Sequence, residues 1–543
     1  MVLVLCSCTT GATTATPTSG SPGSAHADVV RPWSYSSSYD VQAPPDAAGS
    51  PMATCGTTGL PADWVVAENS RPGTTAWRTG RAMVTPEVPL YVERPSTTCG
   101  NPVAVHLGGS GAQGVVVRAY RVGWYSGAGA RLVWSSSAIK VPRTAPTRRR
   151  GTTVPSPNWA TTLVLPVDAS WLPGLYVIES DVAGRIGGVS ALVVRNAADP
   201  RPAVVMYSNL TWSAYSPFGG ASLYFGATHK TVNRALQVAI QRPITGPGLL
   251  RLLAEDVPVA QQIDRLGLPI DPTVDTDVDT QPSLLAHRTE IVLPGHSEYW
   301  TRRMYDAFTA GRNDGANIAD LGANEIYWQT RLAYGSSGVP TTMFVARSLA
   351  EDPLATAHPS DATVEWRNPP LRRDPAAVIG PSYAAVRVHG SLQVRSVPSW
   401  LQGIPGLTAG AILRGVIENE ADGARQGTPH PDNLQIIALG VVRRTGAADK
   451  PVSITYYSSR TGGGVFAAGT TYWPCLTSAA CPDATVSATT RKTMWAITSR
   501  VLQNFSIPHW GASHPSTQTG VPATGGLAAS LPSAAVGTYG GGD

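Results

Sequence analysis

Residues 291–331, IVLPGHSEYWTRRMYDAFTAGRNDGANIADLGANEIYWQTR, decide the fold. They hold two short apolar runs, Ile291 to Leu293 and Ile318 to Leu321. Each run breaks at a glycine-bearing turn and leads into an acidic and aromatic phrase, Glu298-Tyr299-Trp300 in the first and Glu325-Ile326-Tyr327-Trp328 in the second. Between them Trp300, Met304 and Phe308 recur at helical spacing, and Gly315 supplies a stop. The pattern predicts a strand, a helix and a second strand, with a right-handed crossover and parallel strands. Tyr299 and Tyr327 then both stand just past the carboxyl ends of parallel strands, where open α/β sheets hold their ligands.

Downstream and upstream of this unit the same grammar continues. Ala203 to Tyr207 is a continuous apolar run of the kind a buried parallel strand needs. Asn209 to Gly220 reads as a loop rich in aromatics, and Leu249 to Leu266 has helical spacing. Later strands are expected at Ala411 to Ile417, Ile436 to Val442, Ser453 to Tyr457 and Gly464 to Ala467, with a last helix from Thr493 to Phe505. From about Val88 to Arg195 the pattern is instead short β-rich segments between turns, which predicts a β-sandwich of about 110 residues. The loop from Val141 to Pro157, carrying Arg148, Arg149 and Arg150, reads as a solvated hairpin tip. The expected organisation is a signal remnant at 1–8, a flexible tether at 9–60 and a β-sandwich at 61–198. An α/β catalytic-type domain at 199–512 and a disordered Gly, Ala and Ser-rich tail at 513–543 complete it.

Composition narrows the function class. With 543 residues the chain is too long for one core. Apolar residues make up 42% and charged residues 14%, and no run approaches the roughly 20 apolar residues of a membrane helix. The net charge of +5 is small for this length, and Lys occurs only at 140, 230, 450 and 492, so the arginines read as coding bias rather than a nucleic-acid surface. The start, MVLVLCSC, resembles the tail of a bacterial lipoprotein signal without its basic region, which would make Cys8 a lipid-bearing residue and the only link to a membrane. Cys55 with Cys99, and Cys475 with Cys481, suit two local disulfides in an oxidising compartment; no Cys-x2-Cys spacing favours zinc. The expected location is extracytoplasmic, in the cell envelope or secreted.

Several chemistries are excluded by residue type. No cysteine lies between Cys99 and Cys475, so a Cys-His hydrolase on the α/β domain is ruled out. There is no G-x-S-x-G elbow, no H-E-x-x-H helix and no P-loop. Asp275, Asp277 and Asp279 imitate the start of an EF-hand, but Thr280 and Ala286 stand where Gly and Glu are required, and a solvated acidic turn is the better reading. What remains is a set of hard oxygen donors: Tyr299, Tyr327 and the group Glu418, Glu420 and Asp422, expected just after a strand ending at Ile417. Phenolate with carboxylate favours a hard, highly charged cation such as ferric iron. A tyrosine beside a tryptophan at a strand end is more often interface packing with a satisfied hydroxyl.

The phrases RVGWYSGAGARLV (121–133), NLTWSAYSPFGGASLY (209–224), TDVDTQPSLLAHR (276–288), GHSEYW (295–300), GANEIYW (322–328) and GVIENEAD (415–422) resemble the large, β subunit of N,N-dimethylformamidase and its relatives. The resemblance spans about Val88 to Phe505. It implies a β-sandwich followed by a three-layer α/β domain similar to class I glutamine amidotransferases. It also implies one mononuclear Fe(III) held by Tyr299, Tyr327 and Glu420, the last chosen over Glu418. The activity implied is hydrolysis of an amide-type C–N bond with metal-activated water. His296 and Glu298 are then candidates for a proton relay or for orienting the turn, and Asn324 for holding the second loop. Trp212, Trp300 and Trp328 are candidate pocket walls or core packing.

Glu418 stands two residues before the carboxylate ligand, where the amidase itself would carry a histidine. That points to a substrate other than dimethylformamide, among small-molecule amides. A small partner subunit or a homo-oligomer is expected by the same resemblance. The rival expectation, from a different class, is a non-catalytic cell-envelope protein whose sandwich binds glycan or protein.

Overall fold

The computed structural model describes residues 60, 63–78, 85–109, 111–196, 201–226, 233–478, 486–523 and 526–540. The signal-like start with Cys8, nearly all of the tether, Cys55 and Cys481 lie outside the described residues. Cys99 and Cys475 are each in a disulfide.

The centre is a ten-stranded sheet. In sheet order its strands are Asp271–Val274, Ala203–Tyr207, Glu290–Leu293, Asn317–Asp320, Gly464–Ala467, Lys450–Ser458, Gln435–Arg443, Val536–Tyr539, Ser382–Val394 and Ile412–Gly423. The first five run parallel, and antiparallel pairing begins where Gly464–Ala467 meets Lys450–Ser458. The run of apolar residues along each parallel strand has a direct cause. Ala203, Val205 and Tyr207 enter one core while Val204 and Met206 enter another, and Val292 is separated in the same way from Ile291 and Leu293. Both faces are dry, so neither alternate set can be polar. Met304 and Phe308 of the helix Arg302–Asn313 cover one face. Ile263 of Val257–Arg265 and Ile497, Val501 and Phe505 of Ala488–Phe505 cover the other. The chain is thus a mixed α/β protein in which strands predominate.

The strand, helix and strand expected in 291–331 form as read. Glu290–Leu293 pairs in parallel with Asn317–Asp320, with Ile291 opposite Ile318. Thr301 caps the intervening helix by accepting from Met304 N at 3.2 Å. Gly315 ends it at φ 100°, and a Cβ there would lie 2.6 Å from the His509 ring, so both conformation and space require glycine.

Toward the N-terminus a three-stranded sheet (Leu90–Val92, Val103–Leu107, Leu163–Leu165) and a five-stranded sheet enclose one core. The five-stranded sheet is not a separate lobe. Along Arg185–Arg195, Leu192 and Val194 face that core while Val189, Ala191 and Val193 pack into the helices of the α/β part.

Several expectations are corrected. The loop after Val141 does not end as a free tip: Thr153–Val154 pairs with Gln237–Ala239 in a four-stranded sheet that includes Arg331–Tyr334 and Pro340–Phe344, although Arg148 and Arg150 are exposed. The aromatic segment after Tyr207 is not a loop, since Asn209–Tyr215 is a helix buried along its whole length. Asp275, Asp277 and Asp279 are not in a solvated turn but in the helix Asp275–Thr280. There Asp275 accepts from Leu210 N at 3.0 Å and Asp279 from Thr301 Oγ1 at 2.6 Å. The last segment is not disordered over 526–540. Leu527, Leu531 and Ala535 are buried and Val536–Tyr539 inserts into the sheet, where a Cβ on Gly537 would meet His389 O at 2.0 Å. Small residues there permit close strand packing, the opposite of what their composition implied.

Candidate functional site

The site is built at the carboxyl ends of Glu290–Leu293 and Asn317–Asp320. The two turns that follow touch: Ala323 N donates to Gly295 O at 3.2 Å, and a Cβ on Gly322 would lie 1.8 Å from that oxygen. They are also laced by Ser297 N donating to Glu325 Oε2 at 2.7 Å. Asn324 and Ile326 take left-handed backbones, φ 56° and 55°, a conformation disfavoured for a β-branched residue and typical of tightly determined functional turns.

Past the turns the chain forms a parallel two-residue ribbon in which Tyr299 is the partner of Trp328 and Trp300 that of Gln329. Since side chains alternate along a strand, Tyr299 and Trp328 share one face and Tyr327 takes the other. The contacts agree. Tyr299 is buried and its hydroxyl accepts from Arg347 at 2.8 Å, with the same guanidinium 4.9 Å from the Trp328 ring. The Tyr327 ring lies 4.7 Å from that of Tyr383 and its hydroxyl bonds to Glu365, whose carboxylate also takes Arg367 Nε at 2.7 Å.

His296 sits between two carboxylates. Its Nδ1 lies 3.0 Å from Ala323 O, which assigns a donor to that nitrogen. Nε2 is 3.3 Å from Glu298 and 3.7 Å from Glu420. Burial alone would push the imidazole down, but the charge of Glu420 and the bond to Glu298 raise it to about 9. Burial likewise works to raise Glu298, and the proton and charge of His296 hold it below its usual range. Burial pushes both Tyr299 and Tyr327 well up, only partly opposed by Arg347 and Arg367. Asp422 is raised by burial to about 7 despite accepting from Asn324 N at 2.9 Å.

Glu418, Glu420 and Asp422 do not follow a strand; they lie inside Ile412–Gly423. Strict alternation would put Glu418 and Glu420 on one face. Asn419 breaks it, with φ 66° and a register shift against Val386 and Val388. Glu418 therefore turns to the surface, pairing with His389 at 2.7 Å. Glu420 turns inward and accepts from Asn324 Nδ2 at 2.7 Å and from the Tyr215 hydroxyl at 3.3 Å. The structure thus brings His296, Glu298, Tyr299, Asn324 and Glu420 into one buried network, sets Tyr327 at its edge and leaves Glu418 outside. Trp300 packs on Phe308 in the core, and Trp212 Nε1 donates to Asp256 at 2.6 Å. Of the three tryptophans only Trp328 adjoins the network through Arg347.

Residues that sequence reasoning missed complete the network. The Tyr224 hydroxyl donates to Glu298, and the Tyr215 and Tyr224 rings stack at 4.3 Å. Arg251 reaches Glu255 at 2.5 Å and Glu420 at 3.5 Å. It ends a helical turn that passes into a π-helical stretch, Leu252–Asp256, an arrangement frequent at functional sites. Tyr215 and Tyr224 lie in the phrase 209–224 and could have been marked from it; Arg251 and Arg347 lie in no motif.

Among the described residues no group of three or more His, Cys, Asp or Glu side chains is arranged to hold a metal. A phenol and carboxylate set is a different donor class. Tyr299 and Glu420 are hard donors within one network, and the buried Asn324 Oδ1 beside them has no hydrogen-bond partner among the described residues. An acceptor left in this state fits a cation.

Residues 116–483 match the family described as N,N-dimethylformamidase beta subunit-like, C-terminal. No curated protein matches the chain. Among solved structures, an uncharacterized protein from Bacillus anthracis str. Ames is similar at 14% identity over 19% of this chain and 82% of its own, with a TM-score of 0.12, too low to carry an argument.

Proposed function

Because the chain belongs to the N,N-dimethylformamidase beta subunit-like family, we propose that it is an iron-dependent hydrolase of an amide-type C–N bond. The observation that carries this is the buried network of His296, Glu298, Tyr299, Asn324 and Glu420 at the carboxyl ends of parallel strands. Tyr299 and Glu420 would hold the metal from within the network; Tyr327, which the family resemblance adds, would have to leave Glu365 and turn in from the other face of the ribbon. Bound ferric iron supplies a Lewis acid that polarises an amide carbonyl and acidifies water.

The chain's own residues do the rest. Asn324 fixes Glu420 from Nδ2, and Thr471 Oγ1 holds the Glu420 backbone N at 3.3 Å. His296 Nε2 stands 3.3 Å from Glu298 and 3.7 Å from Glu420, where a proton carried on it would be placed for transfer to a leaving amine. Glu298 orients that imidazole and is itself fixed by Tyr224 and by its backbone N donating to Thr211 at 3.1 Å. Burial of all these groups excludes bulk water and strengthens each charge interaction.

The substrate class we propose is a small amide other than dimethylformamide: Glu418 stands where the amidase would carry a histidine, and its turn to the surface leaves the site without that group. The N-terminal sheets read as the sandwich, and the ten-stranded sheet with helices on both faces as the glutamine amidotransferase-like layer. The family's own description as a beta subunit supports a small partner subunit. The disulfides at Cys99 and Cys475 support an exported protein, and the lipoprotein-like sequence around Cys8 is the basis for proposing that residue as a lipid anchor.

The test is elemental analysis and a visible spectrum of purified protein, followed by release of amine from a panel of small amides. Bound iron with a tyrosinate band and amine release are expected. Protein that stays colourless and metal-free after iron loading overturns the reading.

A further inference from the structure

We propose that Arg251 and Arg347 are positioning residues that clamp Glu420 and Tyr299 from opposite ends of a single aromatic stack. The proposal rests on the iron reading above, but its geometry does not. The Tyr215 and Tyr224 rings lie 4.3 Å apart and 28° from parallel. The Arg251 guanidinium stands 4.6 Å from the Tyr215 ring and that of Arg347 3.9 Å from the Tyr224 ring. The order is cation, ring, ring, cation, and each outer cation reaches one proposed ligand. Arg347 donates to the Tyr299 hydroxyl at 2.8 Å, and Arg251 lies 3.5 Å from Glu420 Oε1. The two inner hydroxyls reach the site as well, Tyr215 to Glu420 and His296 and Tyr224 to Glu298.

The stack draws on segments far apart in the chain, so its assembly is not a local accident. Tyr215 ends the helix Asn209–Tyr215, and Tyr224 follows the turn after it. Arg242, buried and without a carboxylate partner among the described residues, braces that turn by donating to the carbonyls of Ser213, Ser216 and Phe218 at 2.6, 2.9 and 3.0 Å. Arg347 adopts φ 65°, a left-handed backbone that a side-chain-bearing residue rarely takes, and its N donates to Thr363 O at 2.8 Å. A guanidinium can stack on a ring by its face and still donate in its plane, which an ammonium does less well. That dual use is why arginine serves at both ends.

Groups that orient metal ligands from behind change metal affinity by about 10- to 100-fold when removed. Arg347→Met, Arg347→Lys and Arg251→Met are compared with wild type by chelator competition for iron and by the energy of the tyrosinate band. Both Met variants should bind iron about tenfold or more weakly. The band should shift in Arg347→Met, which touches the phenol, more than in Arg251→Met, and Arg347→Lys should recover part of the loss. Merely structural arginines would lower thermal stability without moving the band. Wild-type affinity and an unshifted band in both Met variants overturn the proposal. Should wild type take up no iron, the iron reading fails and metal-free crystal structures of wild type and Arg347→Met decide the clamp. A displaced Tyr299 hydroxyl supports it, and an unmoved one overturns it.

Discussion

The two strand-end turns, GHSEYW and GANEIYW, are nearly the same phrase, and the structure uses them differently. In the first, Tyr299 turns into the charged network and meets Arg347; in the second, Tyr327 turns out to Glu365 and Tyr383. The difference lies in the register of the ribbon. GANEIYW carries Ile326 between its glutamate and tyrosine, and the ribbon pairs Tyr299 with Trp328 rather than with Tyr327. A shift of one residue moves a side chain to the opposite face. Two tyrosines that both precede a tryptophan at a strand end thus have different partners: one is held by a cation, the other by a carboxylate.

That asymmetry can be broken by substitution. The largest effect is expected for Tyr299→Phe and Glu420→Gln, each lowering iron affinity by at least about a hundredfold and, for the tyrosine, bleaching the visible band. Retained iron and colour in both would end the assignment. Tyr327→Phe should cost less, about tenfold in chelator competition, because its hydroxyl must first leave Glu365. Equal losses at the two tyrosines would show that the bond to Glu365 offers no resistance. Glu365→Gln should act in the other direction, raising iron affinity by about 2- to 3-fold as the charge-assisted bond to Tyr327 weakens. The smallest effect is expected for Glu418→Gln, within about twofold of wild type in affinity and in amine release, since that side chain pairs with His389 at the surface. A hundredfold loss there would place the ligand at the wrong glutamate.

Much of the α/β part was legible in the sequence because its signals are local. The apolar runs at 203–207, 291–293 and 318–321 became parallel strands, and Trp300, Met304 and Phe308 marked the crossover helix to within two residues of its start. The reading failed where context overrode composition. Gly, Ala and Ser near the end predicted disorder, yet Gly537 is small so that a strand can pass against His389. Aspartates at 275, 277 and 279 predicted a wet turn, yet they accept from Leu210 N, Ser96 and Thr301 in the interior. Aromatics after Tyr207 predicted a loop, yet a seven-residue helix carries them inward.

The sequence by itself determined which elements form and which residue types reach the carboxyl ends of the strands, because hydrophobic period, turn chemistry and the lack of a cysteine nucleophile are properties of neighbours in the chain. Only the tertiary structure decided which of those residues meet. Glu420 and not Glu418 faces inward through a bulge at Asn419, Tyr299 and Tyr327 part across a two-residue ribbon, and Arg251 and Arg347 arrive from distant segments. Facing depends on register and backbone twist summed over the whole sheet, and no local pattern encodes that sum.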